Sequence, residues 1–163
     1  MLIRTATIDD IIGITDIYNH AILNSTATFD TEPKTLQQQK HWFESHNKNY
    51  PVVVAVDSSK NIAGWASLSR WSDRCAYDAT AELSVYVRHT QRGKGIGKAL
   101  MQEIIIQGKQ GGVHTILSRI VDGNAVSISI HQAFGFFEIG TMKEVGFKFG
   151  KRLDVLMMQK ILC

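Results

Sequence analysis

With 163 residues, 44% hydrophobic and 20% charged, the chain has the size and composition of a single globular domain, spanning 1–163, that needs no disulfide staples. A net charge of +3 without a long basic run argues against a nucleic-acid binder and suits an anionic small-molecule ligand. Cys75 and Cys163 form neither a metal-ligand pattern nor a disulfide framework, and no apolar run approaches the roughly 20 residues of a spanning helix.

Met1 to Arg4 leads into structure without a signal-peptide core, so the expected setting is a reducing cytoplasm, with no metal, nucleic acid or membrane as partner. Leu2 to Ala6 reads as a strand. Thr7 or Asp9 then caps a helix in which Ile8, Ile11, Ile12, Tyr18, Ala21 and Ile22 recur at helical spacing. Asn24 to Pro33 is polar and ends in proline, which predicts a loop. Phe29 in its middle either anchors the loop on the core or belongs to a lid that meets substrate. Leu36 to His46 predicts a second helix. Pro51 opens the β-branched strand Val52 to Val56, Asp57 to Asn61 turns it, and Ile62 to Ser69 returns. Trp71 to Ala79 is irregular and carries Arg74, Cys75 and Tyr77.

From Ala81 to Val87 the residues alternate. Leu83, Val85 and Val87 share one face; Glu82, Ser84 and Tyr86 share the other. A helix follows from about Gly95 to Lys109 and breaks at Gly111-Gly112. Val113 to Val121 reads as a strand, and Asp122-Gly123-Asn124 turns into a helix that Gly135 ends. Two strands close the chain, Phe136 to Val145 and Leu153 to Lys160, joined by a connection from Gly146 to Lys151. The order β-α-α-β-β-β-α-β-α-β-β, with neither repeat nor linker, describes one mixed α/β domain.

The stretch Gln91-Arg92-Gly93-Lys94-Gly95-Ile96-Gly97-Lys98 runs from a strand into a helix. Glycines let backbone approach a ligand closely, and the following helix offers unpaired N–H groups and the positive end of its dipole. Arg92, Lys94 and Lys98 add charge at the same turn. A Walker loop is excluded because Gly93 and Gly97 stand one residue too close and Ala99 replaces the hydroxyl residue. A dinucleotide fingerprint is excluded by the G-x-G-x-G spacing.

Glu82 in mid-strand is a poor core residue without a partner. Either it forms an ion pair, with Arg74 the candidate, or it serves as a general base. An α-amino group with an unperturbed pKa of about 8 is mostly protonated near pH 7 and must lose a proton before it can attack. Asn124, Ser127 and His131 share a helical stripe that would face a bound cofactor, while Val126, Ile130 and Ala133 share an apolar one. His131 and Tyr86 are both candidates for protonating a leaving group, and a backbone N–H between Val85 and Val87 is placed to meet a developing oxyanion.

The loop Gln91 to Leu100, entered from Ser84-Val85-Tyr86-Val87, resembles the pyrophosphate-binding loop of the GCN5-related N-acetyltransferases (GNAT), and the element order resembles that fold from end to end. The resemblance implies a mixed central sheet with splayed parallel strands, flanked by helices, and acetyl-CoA as cosubstrate. Ser25 to Pro33, Arg74 to Val87, Asn124 to His131, Phe134-Gly135-Phe136, Gly146 to Gly150 and Leu153-Asp154-Val155 resemble one branch, the phosphinothricin and methionine-sulfoximine N-acetyltransferases. That likeness implies Glu82 and His131 as catalytic residues, and Val85, Tyr86, Val87, Arg92, Gly93, Lys94, Gly95, Ile96, Gly97, Lys98, Asn124 and Ser127 on the cofactor. It places Phe29, Arg74, Tyr77, Glu82 and Lys148 near an amino-acid-like acceptor, with Arg74 clamping its carboxylate, and it implies a homodimer. Ala79 and Leu83, where this chain departs from the branch, bear on acceptor size. The rival readings are acetylation of polyamines, aminoglycosides or protein N-termini, and a non-catalytic coenzyme A sensor.

Overall fold

The structure is a computed structural model and describes residues 1–163. Its elements are β1 (Leu2–Thr5), α1 (Ile11–Asn24), α2 (Leu36–Glu44), β2 (Val52–Val56), β3 (Ile62–Arg70), β4 (Thr80–Val87), α3 (Ile96–Gln110), β5 (Thr115–Val121), α4 (Ala125–Ala133), β6 (Phe137–Lys148) and β7 (Lys151–Ile161). The seven strands form one sheet in the order β1-β2-β3-β4-β5-β7-β6. Neighbours are antiparallel except β4 and β5, whose parallel pairing covers only Thr80↔Thr115, Ala81↔Ile116 and Glu82↔Leu117. Beyond Glu82 the two strands part.

Period-two alternation divides the core between the two faces of the sheet. Val53, Ala55, Ala66, Leu68, Ala81, Leu83 and Ile116 pack with Ile96, Leu100, Met101 and Ile104 of α3. Val52, Val54 and Trp65 pack on the opposite face with Ile14 and Ile17 of α1, and Tyr18, Trp42, Phe43 and Tyr86 border that cluster. Glu82, Ser84 and Tyr86 therefore look toward α1 and α2, with α3 behind them.

The entry to α1 differs from the sequence expectation. A 3-10 turn over Ile8–Asp10 precedes the helix. Asp10, not Asp9, completes the cap: its carboxylate accepts the Thr7 N–H at 2.8 Å and both arms of Arg4 at 2.7 and 2.8 Å. Burial pushes the Asp10 carboxyl up, but the bonds from Arg4 and Thr7 outweigh it and hold it below the ordinary range. The turn resets the helical phase, so Ile8 and Ile12 are exposed and the inward stripe runs through Ile11, Ile14, Ile17, Ala21 and Ile22.

The segment Gly146 to Lys151, expected as a connection, is paired strand. Gly146 faces Leu153, Phe147 faces Arg152 and Lys148 faces Lys151. The turn is only Phe149-Gly150, both at positive φ (51° and 73°), a two-residue hairpin that matches the sheet's twist.

Candidate active site

The face that carries Glu82 opens into a cleft of about 390 Å³ lined by Tyr18, Asp30, Lys34, Trp42, Trp65, Ser84 and Tyr86, among others. Its aromatic wall is close-set: Trp65 and Tyr86 have ring centroids 4.8 Å apart, Tyr18 and Tyr86 5.2 Å, Trp42 and Trp65 5.3 Å. Trp65 Nε1–H is buried without a hydrogen-bond partner. At the rim, Tyr18 donates a short hydrogen bond to Asp30 and meets Thr28 Oγ1 at 3.0 Å, while Lys34 pairs with Asp30 at 3.3 Å. The Tyr86 hydroxyl donates to Ala27 O at 3.4 Å. Burial pushes its phenol up to about 12, with Asp30 and Glu82 adding to the effect against the Thr28 hydroxyl, so it stays protonated at neutral pH.

Glu82 is an ion-pair member, but Arg74 is not its partner. Arg119 donates Nε–H to Oε1 and Nη2–H to Oε2, both at 2.6 Å. The register places Leu117 opposite Glu82, and Arg119 lies two residues along β5 on the same face. Its guanidinium also lies 5.7 Å from the Trp71 ring centroid. Hydrogen bonding to Glu82, reinforced by its charge, raises Arg119 above its ordinary value against some burial. Arg74 and Tyr77 flank and close the exposed 3-10 turn Cys75–Tyr77, and the Arg74 guanidinium forms no hydrogen bond or ion pair.

Phe29 and Lys148 tie two segments together. The Phe29 ring occupies the space where a Cβ on Gly146 would sit. Lys148, buried, donates to Thr28 O at 2.8 Å. Of the two readings of Phe29, the anchor describes its position: the α1–α2 loop is fastened to the β6–β7 hairpin beside the cleft. Burial lowers the Lys148 ammonium from its usual range, with Asp30 opposing.

The glycine loop adopts the backbone that its composition predicts. Gly93 and Gly95 have φ of +77° and +80°, and a Cβ at either would meet nothing within 4 Å. No protein group accepts from the amides of Gly93 to Lys98; the first capped bond of α3 runs from Ala99 N–H to Gly95 O at 3.1 Å. Arg92, Lys94 and Lys98 are exposed, with Lys94 donating to Gln91 Oε1 at 2.7 Å. The Ile96 side chain is in the core, so only its backbone is available. Val85 and Val87 pack against the α3 cluster, and a Cβ on Gly97 would approach Val87 at 3.7 Å and Ile130 at 3.9 Å.

Asn124 caps α4, its Oδ1 accepting the Ser127 N–H at 3.2 Å. His131, on the same stripe, is buried between α4 and β5. Nδ1–H donates to Ser127 O at 2.7 Å, which leaves Nε2 to accept from Ser118 Oγ at 3.1 Å. The ring stands edge-on to Phe136 at 4.9 Å, and burial lowers its pKa. Ser118 lies with Ile116 and Ile120 on the α3 side of the sheet, so His131 and Glu82 stand on opposite faces of it. Nor is the expected apolar stripe of α4 continuous: Val126 is 72% exposed and Ala133 is exposed, while Ile128 and Ile130 pack inward. Sequence reasoning missed Arg119 and the cleft residues Tyr18, Asp30, Trp42 and Trp65. Period two carries Arg119 onto the face of Glu82 only once the register has set Leu117 opposite it, and the cleft, which joins α1, the α1–α2 loop, α2, β3 and β4, had no local signal.

No three His, Cys, Asp or Glu side chains are placed to hold a metal ion, and no helix is long and apolar enough to cross a membrane. Parted parallel strands, with a glycine loop of unpaired amides at the end of one of them, are the frame of an acetyl-group transferase. The chain belongs to the GNAT acetyltransferase family, whose acetyltransferase (GNAT) domain model matches residues 3–157. It is 40% identical over 158 residues to the L-methionine sulfoximine/L-methionine sulfone acetyltransferase of Pseudomonas aeruginosa, a match covering 96% of this chain and 92% of that one. A ribosomal-protein-alanine N-acetyltransferase from Brucella melitensis superposes with a TM-score of 0.95 at 40% identity, over 99% of this chain and 100% of that one. A GNAT phosphinothricin acetyltransferase from Sinorhizobium meliloti, solved with acetyl-CoA, superposes with a TM-score of 0.95 at 36% identity, over 99% and 88%. The family resemblance read from the sequence is borne out, and with it the fold.

Proposed function

We propose that the chain, as one domain over 1–163, transfers acetyl from acetyl-CoA to the amine of a small amino-acid-like acceptor of the methionine sulfone, methionine sulfoximine or phosphinothricin type, with Glu82 as general base. The observation that carries this reading is the joint placement of unpaired amides at Gly93 to Lys98 and a carboxylate where β4 and β5 part. Those amides, with Arg92, Lys94 and Lys98, hold the pyrophosphate. Backbone of Val85, Tyr86 and Val87, with Asn124 and Ser127, holds the acyl arm. The relatives' names support the acceptor class.

Glu82 accepts the proton of the acceptor ammonium, and the free amine attacks the thioester carbonyl. Of the two candidates for the leaving thiol, Tyr86 is favoured: its phenol shares the face of Glu82 and remains protonated. His131 has both ring nitrogens engaged and acts by holding α4, and so Asn124, against β5. Phe29 and Lys148 shape the acceptor site through the loop they fasten, and Arg74 and Tyr77 border it. The exposed apolar edge strand β6 supports a homodimer.

A panel of amines assayed by thiol release tests the reading. Methionine sulfone and phosphinothricin are expected to be turned over, and Glu82→Gln to lose about 100-fold in kcat with acetyl-CoA affinity kept. A variant as active as the parent removes Glu82 from the chemistry. Binding of acetyl-CoA with no turnover of any amine overturns the enzyme reading in favour of a sensor. The Brucella neighbour's name supports a second reading, acetylation of a protein N-terminus, and Asp30 at the cleft rim is the feature that a cationic polyamine or aminoglycoside would use. An alanyl peptide and a polyamine therefore belong in the panel.

A further inference from the structure

The Glu82–Arg119 pair has an unusual position. It lies at the last paired rung of β4 and β5, on the face that opens toward the cleft, and each Glu82 oxygen accepts one guanidinium N–H at 2.6 Å. A base whose two oxygens each already accept a guanidinium N–H has only its remaining lone pairs to offer a proton from a third group. The pair is also weakly defended: the Arg119 side chain is 53% exposed and Glu82 22%, and ion pairs so close to solvent contribute little to stability. Trp71 lies beside the guanidinium at 5.7 Å and gives it a second contact to keep if the carboxylate leaves.

A neighbouring guanidinium and carboxylate are the complement of one kind of small molecule, a zwitterion with an ammonium and a carboxylate on a single carbon. We infer that Arg119 is a specificity-determining residue that reads the acceptor's α-carboxylate, and that taking it up releases Glu82 for the adjacent ammonium. One carboxylate replaces another on a fork geometry suited to either. The ammonium, one carbon away, then lies beside the freed Glu82 and gives it a proton. The amine nitrogen forms the new N–C bond and the C–S bond breaks with its electron pair on sulfur; the thiolate takes the Tyr86 proton, and the second proton that the nitrogen loses as the amide forms restores the phenol. Arg119, on the sheet, holds the role that the family resemblance implied for Arg74 on its exposed turn. The site so built accepts zwitterionic α-amino acids and discriminates against carboxamides, peptides and amines without a carboxylate.

This inference rests on the reading of Glu82 as the base facing the acceptor amine, and its test separates the two. The quantity read is the ratio of kcat/KM for the best α-amino acid of the panel to kcat/KM for its carboxamide. Arg119→Ala is expected to lower that ratio by roughly 10- to 100-fold, the size of one charged bidentate contact; Arg119→Lys, a point charge without the fork, should lower it less. A ratio unchanged within about twofold, a value within the scatter of a single polar contact, overturns the inference, whatever the fate of Glu82→Gln. Turnover confined to amines lacking a carboxylate overturns it too. A second measurement uses only the parent protein: the deaminated acid of the same side chain should compete with the acceptor better than the decarboxylated amine does, and the reverse order overturns the assignment.

Discussion

Among the individual side chains, His46 and His131 are the ones whose protons the fold refuses. His46 is held by Trp42 O at 2.8 Å and Ser69 Oγ at 3.0 Å, and His131 by Ser127 O and Ser118 Oγ. Burial lowers both pKa values, each against a backbone hydrogen bond that raises it. The unfolded chain protonates these rings near pH 6.5 and the folded chain only at lower pH. Stability is therefore full above about pH 6.5 and falls as the pH drops toward the folded values, where it levels off. Each ring contributes a slope of at most about 1.4 kcal/mol per pH unit in that window. The carboxyls of Asp10 and Asp154, held low, lose their contribution only below about pH 4, outside it. Urea titrations at pH 7.5 and 5.5 should show this loss, and His131→Gln should flatten it; a variant with the parent's full slope shows that His131 titrates normally. The same residues mark the limit of sequence reading at this scale. The Asn124–Ser127–His131 stripe was legible as a stripe, but not the side of the sheet it meets, because only tertiary packing puts Ser118 within reach of Nε2.

At the scale of elements, the glycine loop was the most legible part, since positive φ at Gly93 and Gly95 is a backbone demand that composition records directly. Gly95→Ala adds a methyl that meets nothing within 4 Å, so its cost is the left-handed backbone alone, about 1–2 kcal/mol. Gly112, past the far end of α3, has φ of +91° and equally open space, and Gly112→Ala provides the control. Both variants should lower the melting temperature comparably. Only Gly95→Ala should weaken acetyl-CoA binding by calorimetry, because only there do the backbone amides offered to the pyrophosphate share the strained turn. Equal cofactor affinity in the two variants removes the loop from the binding site. The β6–β7 hairpin was the least legible element. Its turn puts Phe149 at φ +51°, where Asn, Asp or Gly is the usual signal, and Gly146 sits in mid-strand as the socket for the Phe29 ring. A glycine used for side-chain room reads in sequence like a glycine used for a turn, so the pattern of the paired stretch is that of a connection.

For the molecule as a whole, the element order and the alternation of β4 were enough to describe one mixed α/β domain and to set Glu82, Ser84 and Tyr86 on one face of their strand, whereas the cleft before them and the pairing of Glu82 with Arg119 needed the tertiary arrangement and the β4–β5 register, which no local pattern encodes. A second global feature follows from the sheet's order. β6 is an edge strand of 12 residues, and Phe137, Ile139, Met142, Val145 and Phe147 along it, with Phe149 in its turn, are 37% to 64% exposed. A long edge with that much apolar surface would aggregate unless covered, and the breaks in register between Glu138 and Gly140 and between Met142 and Gly146 do not remove it. The same hairpin holds Lys148 and the socket for Phe29, so a partner seated on it would bear on the acceptor site through the α1–α2 loop. Sedimentation equilibrium should accordingly give twice the 18.2 kDa chain mass. Ile139→Lys with Phe147→Glu should shift it to the monomer while leaving the melting transition cooperative, since neither side chain belongs to the core of the chain itself. Acceptor KM should rise in that variant and acetyl-CoA affinity should not, because the glycine loop lies on α3, away from the hairpin. A parent that sediments as a monomer at all concentrations, or a variant that stays dimeric, would show that β6 is not the joining surface.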